Sequence, residues 1–250
     1  MNEIKTEASY KIFKCLFRAD LAVQWRNRRA SLISLFVPVI ILISWKSVVI
    51  AMGGAFALSS AITIGLVAVG LMGYANNMAR DREKGIFERL RVTPASTTII
   101  MTSRIAVQIL QMAAMNILVF IVAYFIDNIT LSAGGYILSF IISLFCGAVF
   151  LSMGQAIVGL ISSSATVNSV SRFVYIGLVL IGAFGELGVL GGLLKNIILW
   201  SPYGSVKILL LTSMIPSDWG SESWIALIVT ILYIIIFTMI GIKWFKWKTN

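Results

Sequence analysis

The chain contains no histidine, only two cysteines, and only ten acidic residues among 250. Without histidine there is no zinc site of the usual kind, no Ser-His-Asp or Cys-His catalysis, and no histidine-dependent intramembrane protease. Cys15 falls in a basic amphipathic stretch and Cys146 in the middle of an apolar one, so they have no shared depth at which to pair. Charge is scarce as well. Charged residues make up 12% of the chain against roughly 25% in soluble domains, and that shortage excludes a solvated globular surface. No internal repeat, low-complexity tract or linker is visible, so a single transmembrane domain spanning 1–250 is expected.

What is present is apolar: 59% hydrophobic residues and a mean hydropathy of +0.95. A bilayer core of about 30 Å needs about 20 mostly apolar residues per helix. Six stretches qualify: 31–50, 56–79, 99–126, 135–161, 173–194 and 224–242. The first is the weakest because Lys46 interrupts it near one end, where a lysine can snorkel. The expected fold class is all-α integral membrane, with six transmembrane helices.

The net charge of +10 suggests nucleic acid only until its placement is read. The cations flank apolar spans, where anionic headgroups and the positive-inside bias account for them. With the N-terminus inside, all but three of the twenty lysines and arginines fall on the cytoplasmic side, leaving Lys46, Lys195 and Lys207 outside. Both termini are then cytoplasmic. The seven tryptophans, Trp25, Trp45, Trp200, Trp219, Trp224, Trp244 and Trp247, all fall at expected headgroup level, as an aromatic belt requires.

Two segments are expected to lie along the bundle or the membrane surface. Residues 9–29 place Ile12, Phe13, Leu16, Phe17 and Val23 on one helical side and Lys11, Lys14, Arg18, Arg26 and Arg29 on the other. That is a basic interfacial helix rather than a secretory leader, with Asp20 alone intruding on the apolar face. Residues 195–223, broken by Pro202 and Pro216, are too long for a plain turn; within them 204–214 reads as a surface or re-entrant helix.

Four features carry candidate chemistry. The second span aligns Ser59, Thr63, Gly70, Gly73 and Asn77 near one line, a pattern that serves close helix packing or lines a path. Arg104, Gln108 and Gln111 form a similar stripe at the inner end of the third span, with Arg104 shallow enough to reach lipid phosphate. Glu186 is the one acid inside an otherwise apolar span, among Gly182, Gly185, Gly188 and Gly191. A central charge costs at least about 2.5–3.5 kcal/mol on insertion scales. The fifth span is therefore expected to break there, with Glu186 facing water in an outer cavity or hydrated at the headgroups.

The fourth feature is the charged block 80–96, RDREKGIFERLRVTPAS. Acids and bases alternate along it, while Ile86, Phe87 and Leu90 form an apolar edge. Thr93-Pro94 ends the helix, because the residue before proline is pushed out of the α region. Ser96 or Thr97 can then cap the third span. Re-entering a membrane needs no such block, so it reads as a surface for another protein.

Here the chain resembles the permease subunits of ATP-binding cassette exporters of the ABC type-2 family. Their loop between spans two and three reads approximately E-x-E-x-G-x-x-E-x-L-x-x-T-P; Glu83, Gly85, Glu88, Leu90, Thr93 and Pro94 match, and Asp81 stands at the first acidic position. The WRNRR end of the interfacial helix, Pro38 in the first span and Trp200-Ser201-Pro202-Tyr203 before the last also fit. The resemblance implies two permease subunits, identical or paralogous, above a dimer of separate ATPase subunits in a bacterial plasma membrane. The block would be the coupling helix, contacting the ATPase through Glu83, Gly85, Phe87, Glu88, Arg89, Leu90, Thr93 and Pro94. The path would involve Ser59, Thr63, Asn77, Gln108, Gln111 and Glu186. No G-x-x-x-x-G-K-[ST] loop occurs, so no cofactor is expected in this chain and ATP and Mg would belong to the partner; the chain itself would not be an enzyme. Apolar walls suit a drug, antimicrobial, lipid or peptide cargo, and the T-P-A-S closure resembles the drug-resistance branch. A receptor or immunity-type protein, or an ATP-independent carrier, remains open beside this.

Overall fold

The structure, a computed structural model, describes residues 2–26, 28–91, 96–186 and 199–244. It contains only helices and their connections among those residues. Among the described residues five helices are long and apolar enough to cross a membrane, and a bent pair makes a sixth if it counts as one span.

In chain order these are α1 (Asn2–Arg26), α2 (Arg28–Ser44) and α3 (Lys46–Met52). A continuous rod follows: α4 (Gly54–Val67), a π-helical stretch (Ala68–Ala75) and α5 (Asn76–Glu83). Then come α6 (Ile86–Arg91), α7 (Thr97–Ile126), α8 (Ala133–Leu160), α9 (Ser164–Glu186), α10 (Pro202–Met214) and α11 (Ser221–Lys243). Ser96, Ser132 and Ser201 cap α7, α8 and α10 by accepting backbone N–H groups, as expected of serine at these positions.

The rod forms the centre of the bundle, because its sequence supplies small residues on every side. Ala57, Ser59, Ser60, Ala61, Thr63 and Gly65 are all buried. Small side chains let neighbouring backbones approach, which is how helices associate without a hydrophobic driving force. The rod's closest approach to another backbone is at Gly70, where a Cβ would stand 2.5 Å from the Phe150 carbonyl carbon; opposite it, a Cβ on Gly154 would stand 2.6 Å from the Gly70 carbonyl oxygen. Gly70→Ala is expected to cost about 1–3 kcal/mol through overpacking, seen as a lowered unfolding midpoint in detergent. Gly134→Ala, which meets nothing within 4 Å, leaves that midpoint unchanged.

Three expected boundaries move. The first span is bent by 61° where Trp45 leaves helical geometry, between α2 and α3. Its apolar run ends there, and Trp45, Lys46 and Ser47 have the polarity of a membrane interface. The fifth span starts at Ser164 rather than 173, and its expected end at 194 lies outside the described residues. Its first turns carry Asn168 and Arg172, which depress a hydropathy average although the helix is already under way. The break expected near Glu186 falls where Gly188 and Gly191 lie outside the described residues, as does the Glu186 side chain. Third, α10 is packed into the bundle rather than laid on its surface: Tyr203, Val206, Lys207, Leu209 and Leu210 are buried. Tyr203 fills the space beside Gly182, and the Lys207 ammonium lies 3.5 Å from the Phe56 ring centroid.

The basic helix α1 packs on α7, with Ile12, Phe13, Leu16 and Phe17 half-buried and Lys11, Lys14 and Arg18 exposed. Val23 is 60% exposed and does not belong to the packed face. Cys15 is exposed and Cys146 buried, both free.

Candidate functional site: the α5–α6 elbow and the cavity beside it

The charged block is not one helix. Residues 80–83 are the last turn of the central rod, and the chain turns sharply before a separate six-residue α6. Gly85 makes the turn possible. Its φ is +66°, in the left-handed region that glycine enters without strain, and its N–H donates to the Arg82 carbonyl at 3.0 Å. Val92, Thr93, Pro94 and Ala95 lie outside the described residues, so the expected stop at Thr93-Pro94 does too.

Three groups pin the elbow. Phe87 is buried beneath α6, with the Arg104 guanidinium carbon 4.7 Å from its ring centroid. The same Arg104 pairs with Asp81. The third span thus clamps both arms of the elbow through one arginine, where the sequence suggested a lipid anchor. One residue before it, Ser103 donates to the Asp20 carboxylate at 2.8 Å, which seats α1 on the same turn of α7. That explains the acid on α1's apolar face. Burial pushes the Asp20 carboxyl above its usual range, against the pull of Arg104 and the Ser103 hydrogen bond.

The sequence reading missed the third group. Arg82 is 1% exposed and donates to the carbonyls of Val158 (2.7 Å), Ile161 (2.5 Å) and Ser162 (2.8 Å). These lie at the C-terminal end of α8, where orphan carbonyls and the helix dipole favour a cation. Its neighbour Glu83 accepts a hydrogen bond from Ser164 at the start of α9. One turn of α5 therefore ties the elbow to the α8–α9 junction. A signal was present: Met78, Ala79 and Arg82 share the buried face of α5 at helical spacing, so Arg82 stood on an apolar stripe.

Glu88 and Arg89 remain exposed on α6, and Glu83 and Lys84 on the turn, while Leu90 and Gly85 are half-buried. The expected contact residues thus divide into an anchoring set, led by Phe87, and an outward-facing set.

Of the expected path residues, Asn77 and Gln108 line one cavity, whereas Ser59, Thr63 and Gln111 do not line it. Ser59 and Thr63 are fully buried, and their hydroxyls donate to the carbonyls of Phe56 and Ser59 in their own helix. The π-helical stretch then breaks the single line: i→i+5 bonding displaces every later side chain relative to an α-helix. Gly70 consequently faces α8, while Asn76 and Asn77 line two different cavities. Gln108 and Gln111 are buried and bonded to Gln24 of α1, and Gln111 also to Ser34 of α2.

A cavity of about 530 Å³ lies between α2, the central rod and α9. Ser34, Asn76, Asn168, Arg172 and Tyr175 supply its polar wall, and Val37, Ala68 and Met72 its apolar one. The buried side-chain oxygens of Asn76 and Asn168 have no hydrogen-bond partner among the described residues. Few groups of His, Cys, Asp or Glu could collect here, and among the described residues none is arranged to hold a metal.

A family model described as ABC-2 type transporter matches residues 11–215. The chain belongs to the ABC-2 type transporter family. No match is found among curated proteins. An ABC-2 permease is an integral membrane protein that works with an ABC ATPase, and the matched region runs from within α1 to the end of α10, the elbow included.

Proposed function

We propose that this chain is the membrane subunit of an ATP-driven exporter of amphiphilic cargo, set in a bacterial plasma membrane with the α6 end cytoplasmic. A second permease, identical or paralogous, completes the path, and a separate ATPase dimer binding ATP and Mg sits beneath α6. The observation that carries this reading is the elbow itself. A six-residue helix presents Glu88 and Arg89 to solvent while Phe87, Asp81, Arg82 and Glu83 fix its base to α7, α8 and α9. A lever of this kind transmits a push from below into the spans, and α9 is also a wall of the 530 Å³ cavity. The size of that cavity falls in the range of small-molecule sites, and its half-polar, half-apolar wall suits an amphiphile.

The test is vectorial transport. Vesicles holding the chain and its ATPase should accumulate a fluorescent cationic or zwitterionic amphiphile only with ATP on the ATPase side. Asn76→Leu combined with Asn168→Leu should cut the initial rate by about tenfold while ATPase association persists, since each substitution removes a buried polar contact for the cargo. Uptake without ATP would favour a carrier. Binding without net movement would favour the receptor or immunity-type alternative.

A further inference from the structure

Two cavities meet where α1, α2 and α7 converge, and they differ in chemistry. The first, about 340 Å³, is bounded by Arg26 of α1, Arg80 and Lys84 of the elbow, and the Asp20, Asp81 and Arg104 cluster. The second, about 420 Å³, has an almost wholly apolar wall that includes Leu32, Leu35, Leu110 and Ala114. Gln24 and Val107 line both, so the two adjoin along α1 and α7.

The charge in the first cavity does not balance. Asp81 is taken by Arg104, and Asp20 accepts from Ser103 and is biased toward its neutral form by burial. Arg26, Arg80 and Lys84 are left without a carboxylate partner among the described residues. In the same wall the Gln108 side-chain oxygen is buried, 5% exposed as a residue, and accepts no hydrogen bond among the described residues. The site thus offers three cations, one unsatisfied acceptor, and an apolar groove leading away from them. An anion carrying a hydroxyl and a hydrocarbon tail satisfies all three.

We propose that these adjoining cavities bind one anionic glycerophospholipid of the phosphatidylglycerol type. Its phosphate lies among Arg26, Arg80 and Lys84, a headgroup hydroxyl donates to Gln108, and one acyl chain runs along Leu32, Leu35 and Leu110. Bound there, the lipid bridges α1 to the elbow and fills the space between them. This goes beyond the export reading and does not depend on it, because binding needs neither ATP nor a partner chain.

The experiment is native mass spectrometry of the purified full chain, titrated in detergent with phosphatidylglycerol, phosphatidylethanolamine or water-soluble glycerol phosphate. A single phosphatidylglycerol should be retained at least about tenfold more tightly than phosphatidylethanolamine. Combined Arg26→Gln, Arg80→Gln and Lys84→Gln should weaken that binding by about tenfold or more. Removing the same charge from the exposed side of α1, by Lys11→Gln, Lys14→Gln and Arg18→Gln, should change it less than about twofold. Ala114→Trp, which narrows the groove without touching the cations, should also weaken retention. The proposal is overturned if the two lipids bind alike, if both triple variants lose binding equally, or if glycerol phosphate displaces the lipid at equal concentration. The last outcome would mean a simple anion site.

Discussion

Arg82→Ala is expected to destabilise the folded bundle by about 3–5 kcal/mol, measured as a drop in unfolding free energy in detergent. Hydrogen bonds from a charged donor contribute about 1.5–3 kcal/mol each, and Arg82 makes three, to carbonyls that have little other recourse at the end of α8. The effects do not add fully, because the three acceptors lie within one turn and partly relax together. Arg82→Lys keeps the charge near the helix terminus but presents one nitrogen in place of a planar fork, so it should recover about half of the loss. Arg89→Ala, an exposed cation seven residues on, should change stability by less than about 0.5 kcal/mol. If both alanine variants behaved alike, Arg82 would not be the tie between the elbow and the α8–α9 junction.

Phe87→Ala should separate function from folding. The ring is fully buried beneath α6 and faces Arg104, so truncation removes about 3–5 kcal/mol of packing plus a cation–π contact of about 0.5–2 kcal/mol. Unlike Arg82, however, Phe87 stabilises a six-residue helix at one end of the bundle. The loss should therefore appear as local release of α6, with faster hydrogen exchange over 86–91, and a smaller shift in global unfolding. Stimulated ATP hydrolysis in the assembled complex should fall by at least about tenfold, because a loosened lever transmits little. Phe87→Leu should restore most of both. Unchanged exchange and unchanged hydrolysis in Phe87→Ala would mean that α6 is not held as a lever.

Much of the architecture was readable because hydropathy and length dominate in a membrane. The second, third, fourth and last spans came out within a few residues of the observed helices, and Ser96 caps α7 as expected. What hydropathy could not supply was geometry set by partners. The early start of α9 depends on which face meets a cavity, through Asn168 and Arg172, not on average polarity. The π-helical stretch, which sends Asn76 and Asn77 to separate cavities, has no single-residue signature. At the elbow, the pattern of the charged block marked a segment tied to three helices but treated its charges as alike. Asp81, Arg82 and Glu83 are consecutive, yet they bind α7, α8 and α9 respectively, and only helical phase distinguishes them. Asp20 and Arg82 were the legible exceptions, since each interrupted an apolar stripe.

The claim on which the account turns is that the outward face of α6 is where an ABC ATPase seats. A photo-crosslinking amino acid placed at Glu88 in living cells, with the adduct sequenced by mass spectrometry, tests it without assuming which ATPase is involved. The account predicts one dominant adduct whose sequence contains a G-x-x-x-x-G-K-[ST] phosphate loop, and no such adduct from Ile50, an exposed residue in α3. A Glu88 probe that captures only proteins lacking that loop, or nothing while the Ile50 probe captures one, would contradict it.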